Sequence, residues 1–258
     1  MMPTVSIFYV TFRRDYAFMR YSLRSLAKYA AGFHEVVILV PDADVALFEQ
    51  LASEVNTTGL TCHVFGYSEH PGKGMLHHEY QVICADQFCK GDFILHMDAD
   101  CLFWETCTPS DFVVAGRCVL YRERFENFRH YAARYSWKKC VLDATGIDPE
   151  YETMVRHPAV HPRWVYAQVR KVIRDHTGHS PETYILSCSN AFPQTFAEFP
   201  AIGAVVIKHF PGAYHFVDFT VTNPDGSYTY QHGRDKVKAF WSHGGIDPVI
   251  NELEEIVK

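Results

Sequence analysis

The first 65 residues alternate two kinds of apolar pattern, and that alternation limits the folds open to the chain. Val5–Val10 (VSIFYV), Glu35–Val40 (EVVILV) and Cys62–Phe65 are short runs rich in β-branched and aromatic residues, each read as a buried strand. Between the first two, Tyr16–Tyr29 places Phe18, Met19, Leu23, Leu26 and Ala27 at helical spacing, with Gly32 as its stop. Between the second and third, Asp44 can cap a helix to about Val55 that turns Val45, Phe48, Leu51 and Ala52 inward. Strands apolar on both faces, separated by amphipathic helices, form parallel sheets covered on both sides. The expected fold class is therefore α/β: a Rossmann-like, mostly parallel sheet flanked by helices. At 258 residues and 48% apolar content, the chain can fill such a core.

The next strand ends in chemistry. Gly91–Phe103 (GDFILHMDADCLF) opens on a turn residue, runs through Phe93-Ile94-Leu95 and closes on Asp98 and Asp100. If this stretch stays extended, residues two apart face one side. Both carboxylates then stand at a strand's carboxyl end, where open α/β sheets bind ligands. Adjacent carboxylates repel unless a cation lies between them, and Mg²⁺ or Mn²⁺ shared with a phosphate is the simplest candidate. Two aspartates can also be plain turn residues; the apolar strand before them and the three β-α units upstream favour a site.

Before that strand, Ser68–Gly74 (SEHPGKG) sets Lys73 between glycines at the start of a helix over Met75–Phe88. Such a start suits a phosphate, and equally an ordinary turn. His77, His78 and Gln81 share a polar face of that helix, against an apolar face of Leu76, Tyr80, Ile83 and Cys84. Adjacent histidines point about 100° apart, so a solvated or hydrogen-bonding pair is expected in preference to a metal pair.

The later chain is more varied. Cys118–Arg122 reads as a strand, and the interleaved basic and aromatic residues of Tyr121–Lys139 suit an anionic glycan or a basic helix face. From Arg117 to His179 the chain carries 12 Lys/Arg against 7 Asp/Glu, a local +5 within a total of −6. His157 and His161 have metal spacing, but Pro158 and Pro162 oppose a helix there, so zinc is not expected. Trp164–His176 reads as a helix ended by Gly178, Tyr184–Ser187 as a strand, and Phe196–His209 as an apolar helix with Glu198 at its start. Tyr214–Val221 reads as a strand and Asn223–Gly226 as a turn. Ala239–Trp241 leads into Ser242-His243-Gly244-Gly245, and Asp247-Pro248 open a last helix over Val249–Val257.

There are no repeats, linkers or low-complexity segments, so residues 1–258 are expected to form one domain. The modest net charge lacks the basic signature of a general nucleic-acid binder. Eight cysteines without a CxxC pair suggest reduced thiols and a cytoplasmic setting. MMPTVSIFYVTF reads as a first strand in place of a signal peptide, and no apolar run is long enough for a transmembrane segment.

Taken together, strand one, two β-α units, a Lys/Gln-bearing helix and a strand ending in Asp98-Ala99-Asp100 resemble the nucleotide-sugar half of GT-A type glycosyltransferases. Phe196–Gly203 (FAEFPAIG) and Phe240–Ile246 (FWSHGGI) are similar to segments of a poorly characterised bacterial and viral branch of that class. The resemblance covers most of the chain and is poorest from Glu123 to Glu182. It implies a GT-A fold, with residues 1–104 binding the nucleotide sugar, and 105–258 binding the acceptor and supplying a metal-completing loop. It implies hexosyl transfer from a nucleoside-diphosphate sugar, UDP-linked being expected, with Mn²⁺ or Mg²⁺ as cofactor. The acceptor would be a hydroxyl of a glycan, a lipid carrier or a hydroxymethylated DNA base.

Residue by residue, the resemblance gives Asp98, Asp100 and His243 the metal. It gives Thr11, Phe12, Arg13 and Asp42 the base and ribose, and Lys73 and Gln81 weaker donor contacts. Asp100 acts in catalysis through the metal. Glu198, or else Glu182, is the base an inverting enzyme needs, and Lys236 or Arg234 could touch the diphosphate. The rival readings are a haloacid-dehalogenase-like phosphatase and a non-catalytic nucleotide-sugar or glycan binder. The phosphatase motif usually follows the first strand and needs a downstream GDxxxD, which this chain lacks.

Overall fold

The structure, a computed structural model, describes residues 3–56, 59–128, 132–155, 158–191, 195–222, 228–230, 236–240 and 244–258. In chain order the first half contains β1 (Val5–Val10), α1 (Tyr16–Tyr29), β2 (Glu35–Pro41), α2 (Val45–Asn56), β3 (Cys62–Tyr67), α3 (Gly74–Val82), β4 (Phe93–His96) and β5 (Cys101–Phe103). Then follow β6 (Val113–Val114), β7 (Arg117–Arg124), α4 (Ala132–Thr145), β8 (Tyr151–Glu152), β9 (Ala159–Pro162), α5 (Val165–Thr177), α6 (Pro181–Ser187) and α7 (Glu198–His209). The last elements are β10 (Tyr214–Asp218), β11 (Thr220–Thr222), β12 (Tyr228–Tyr230), β13 (Val237–Ala239) and α8 (Ile250–Val257).

The main sheet runs β3-β2-β1-β4-β9, with the first four strands parallel and β9 antiparallel to β4. Every residue of β1, β2 and β4 is buried, including the polar Ser6, Glu35 and His96, which explains their mostly apolar pattern. The chain moves outward from β1 to β2 and β3, then returns to the other side of β1 with β4. The sheet therefore reverses its winding between β1 and β4, and the crevice at their carboxyl ends is the place where such sheets bind ligands.

A smaller sheet, β10-β7-β6, joins β10 to β7 in parallel, with β8 also paired to β7. One buried cluster contains Ile7 and Ile94 of the main sheet, Val141 and Ile173 of α4 and α5, and Ile202 and Val205 of α7. A second cluster of Phe18, Tyr21, Leu102, Phe240 and Leu253 seats the C-terminal segment against α1. There β13 pairs with β5, and the Tyr21 hydroxyl donates to Glu254 at 2.6 Å. Among the described residues no helix is long and apolar enough to cross a membrane.

Several sequence expectations change. Tyr184–Ser187 is helical, not a strand: Ser180 accepts the Thr183 N–H at 3.1 Å, Pro181 opens the first turn, and α6 follows. The helix expected to Phe88 ends at Val82, before a short 3-10 turn over Ala85–Gln87. Asp247 and Pro248 start a 3-10 turn, and α8 begins only at Ile250. Three of the basic groups of Tyr121–Lys139 have acidic partners: Arg122 meets Asp218 at 2.7 Å and lies over the Tyr151 ring, Arg124 meets Glu150, and Lys138 meets Asp148 at 3.1 Å. His161 lies in β9, where its ring meets the Tyr214 hydroxyl at 3.1 Å; His157 and the Asn223–Gly226 turn lie outside the described residues.

Candidate active site

β4 stops at His96, so Asp98 and Asp100 are not on an extended strand; they lie in the turn that links β4 to β5. The turn still brings them together: the carboxylates and the Cys101 thiol lie within 4.8 Å of one another. Four backbone attachments fix it. Met97 N–H bonds Phe8 O at 3.0 Å, extending the β1–β4 ladder, and Cys101 N–H closes onto Asp98 O at 2.9 Å. The Ser22 hydroxyl of α1 donates to Cys101 O at 2.6 Å and also meets Tyr9 Oη at 2.9 Å. From the C-terminal segment, Phe240 N–H bonds Asp100 O at 2.8 Å.

Around this turn stand further ionisable groups. Glu198, at the first position of α7, is buried. Burial pushes its carboxyl up; its own backbone N–H works against that rise and the charge of Asp98 adds to it. Glu79 of α3 is also buried, and burial and the neighbouring Glu198 raise its carboxyl while the Thr195 hydroxyl, bonded to Oε1, opposes the shift. Glu79 Oε2 has no hydrogen-bond partner. Desolvation lowers the His78 imidazole, and Asp98 partly restores it.

The donor set suits a hard cation. Burial, with Asp98 and Asp100 beside it, holds the Cys101 thiol well above its ordinary value, and the sulfur lies 3.9 Å from Asp100 Oδ1. That leaves two carboxylates as anionic ligands, with a third carboxylate, Glu198, near enough to be perturbed by one of them. Oxygen donors crowded in this way fit a hard cation such as Mg²⁺ or Mn²⁺.

The remaining sequence candidates divide by position. Thr11 is buried at the carboxyl end of β1, beside the reversal point, and its hydroxyl has no partner. Phe12 follows it, extended and exposed. Arg13 donates to Asp44 through its backbone N–H and Nε, at 2.8 and 2.9 Å, so Asp44 ties down this loop. Asp42 is exposed and accepts the Ser68 hydroxyl at 2.7 Å. Lys73 immediately precedes α3 and is half-buried, while Gln81 is buried in that helix. Glu182 is exposed on α6. Lys236 is held by Asp111 at 2.8 Å. His243 and Arg234 lie outside the described residues.

Sequence reasoning missed Glu79, His78 and Thr195 as neighbours of the site. Glu79 and Thr195 are 116 positions apart, and no local pattern links them. A cavity of about 300 Å³ opens between Arg14–Phe18 at the start of α1 and Gly244–Ile246. A larger one, about 400 Å³, lies by Phe93 and Pro162 at the opposite end of β4 from the Asp98–Asp100 turn.

No curated protein matches the chain. Among solved structures it is similar to two crystal structures of the glycosyltransferase GlyE from Streptococcus pneumoniae TIGR4, one of them the apo form. Each has 11% identity and a TM-score of 0.46, and the match covers 83% of this chain and 45% of the other. The chain thus spans less than half the length of those proteins. Residues 10–201 match the model of a family of unknown function, DUF6492. With that match extending over well more than half its length, the chain belongs to the DUF6492 family.

Proposed function

We propose that the protein is a GT-A type, metal-dependent glycosyltransferase that moves a sugar from a nucleoside diphosphate, UDP in the first instance, to an acceptor hydroxyl. One observation carries this reading: the Asp98–Asp100 turn at the sheet's reversal point, faced by the buried carboxylic acid Glu198.

Asp98 and Asp100 would hold Mn²⁺ or Mg²⁺, and His243 is proposed as a further ligand. The bound metal supplies Lewis-acid neutralisation of the charge that grows on the leaving diphosphate. The chain's own groups do the rest. Thr11, with its unpaired buried hydroxyl, and Phe12, Arg13 and Asp42 line the carboxyl ends of β1 and β2, where they would orient base and ribose. Lys73 and Gln81 are proposed donor contacts on α3. Glu198 would accept the proton of the acceptor hydroxyl as the new glycosidic bond forms. A carboxyl raised by burial is a better base near neutral pH than an exposed one. The acceptor class stays a hydroxyl of a glycan, lipid carrier or modified DNA base.

The test is release of nucleoside diphosphate from UDP-, GDP- and dTDP-linked sugars, with Mn²⁺ or with EDTA. The reading expects slow metal-dependent hydrolysis of one donor, abolished by Asp100→Ala. Metal-dependent phosphate release from simple phosphomonoesters, with no response to any nucleotide sugar, would replace it with the phosphatase.

A further inference from the structure

The Thr195 hydroxyl oxygen lies between two others, Glu79 Oε1 at 2.5 Å and the Phe196 carbonyl at 2.6 Å. A hydroxyl carries one hydrogen and can donate it to one of them at a time. Donated to Oε1, it would favour an ionised Glu79 but leave the contact with the carbonyl without a hydrogen. The carbonyl has none to return, so both contacts are satisfied only when Glu79 supplies the second. Glu79 is then a carboxylic acid: its Oε1–H donates to Thr195 Oγ1, and Thr195 donates to Phe196 O. The other carboxyl oxygen fits the same state. Oε2 is buried with no hydrogen-bond partner, which costs an ionised carboxylate far more than it costs a neutral acid. Both side chains are enclosed, Glu79 being 4% and Thr195 1% exposed. Among the described residues no lysine or arginine pairs with Glu79. The titratable groups that bear on it are Glu198 of α7, Cys140 of α4 and Cys188 at the end of α6. Burial first, then Glu198, raise the Glu79 carboxyl, in agreement with the hydrogen count.

We propose that Glu79 is a neutral carboxylic acid that acts as a positioning residue for Glu198, through a relay from Glu79 to Thr195 to the Phe196 carbonyl. The role rests on the transferase reading, in which Glu198 takes the acceptor's proton. The relay fastens α3 to the segment that enters α7, ending two residues before Glu198. That segment lacks the usual fastening of a helix start, since Ala197 precedes α7 with no side-chain cap. Two buried carboxyl groups that sense each other do not both ionise readily. With the proton kept on Glu79, Glu198 is the one left to act as base.

The test begins with infrared difference spectra of the full chain against Glu79→Gln at neutral pH, where the wild type should show a protonated-carboxyl band that the variant lacks. Amide hydrogen exchange across residues 195–199 then reads the relay. It should speed up at least about tenfold in Thr195→Val and in Glu79→Ala, while Glu79→Gln, whose amide donates in place of the acid, rescues protection. On the donor the enzyme hydrolyses, Thr195→Val should lower kcat at least about tenfold at unchanged KM, and Glu79→Gln should rescue the rate lost in Glu79→Ala. Thr195→Val is nearly isosteric and keeps the question answerable if Glu79→Ala fails to fold. No such band, unchanged exchange or kcat in Thr195→Val, or failure of Glu79→Gln to rescue would overturn the proposal. A wild type that turns over no donor, with the band and the exchange as expected, would remove the transferase reading and leave the relay standing.

Discussion

Gly203→Ala adds one carbon, and the structure sets its cost. Gly203 lies in the buried middle of α7, the helix that begins with Glu198. A Cβ there would meet Thr153 Oγ1 at 2.0 Å, Cγ2 at 2.5 Å and Cβ at 2.7 Å. Thr153 cannot simply turn away: it is 3% exposed, and its hydroxyl donates to Phe199 O at 2.9 Å. Alanine improves helix propensity by about 1 kcal/mol. Overpacking against three atoms costs about 3 kcal/mol, and displacing the Thr153 hydrogen bond costs about 1 kcal/mol more. The net destabilisation is roughly 3 kcal/mol, or a fall in Tm on the order of 6–10 °C for a chain of this size. Urea unfolding should show a lower midpoint at unchanged slope. Thr153→Ala in the same chain removes two of the three clashing atoms and should recover at least about 1 kcal/mol as a coupling term. A neutral or stabilised Gly203→Ala would show that α7 does not approach Thr153 this closely, and the placement of Glu198 would be wrong with it.

Other predictions concern the carboxyls. Glu198→Gln should lower kcat by about 10²- to 10⁴-fold while leaving donor KM little changed. In the wild type the base works only when ionised, so kcat/KM should rise with pH through a value above the ordinary glutamate range; an acid limb at the ordinary value would refute the assignment. Glu79 is raised by burial and by Glu198, so the folded state holds its proton to higher pH than the unfolded chain does. Its contribution to stability is therefore full below the ordinary glutamate value and is lost as pH rises through the raised one. Glu79→Gln should remove that decline, which melting curves of both proteins between acidic and alkaline buffer would reveal as a pH-dependent gap.

The sheet was legible because burial on both faces writes an apolar run: β1, β2 and β4 have no polar face to hide. The Asp98–Asp100 pair was legible as a spacing, but its geometry was not. β4 ends two residues before Asp98, and the pairing comes from a turn held by Ser22 and Phe240, 79 positions or more from the atoms they bind. α3 misled the periodicity argument. Packed between the sheet and α6 and α7, it buries His77, Glu79 and Gln81 as well as Leu76, so polarity no longer marks its outer face. Ser180-Pro181 carried a helix-start signal that outweighs the β-branched and aromatic character of Tyr184-Ile185. The Glu79–Glu198 neighbourhood depends wholly on tertiary contact, so no local rule could announce it.

The central claim is that Asp98 and Asp100 hold a divalent cation for a nucleoside diphosphate. Calorimetric titration of UDP, GDP and dTDP into the protein, with Mn²⁺ or with EDTA, tests it most directly. The account predicts that one nucleotide binds only with Mn²⁺, and that Asp98→Asn and Asp100→Asn each abolish that binding while melting like the wild type. Equal nucleotide affinity in EDTA, or undiminished Mn²⁺-dependent binding in both variants, would contradict it.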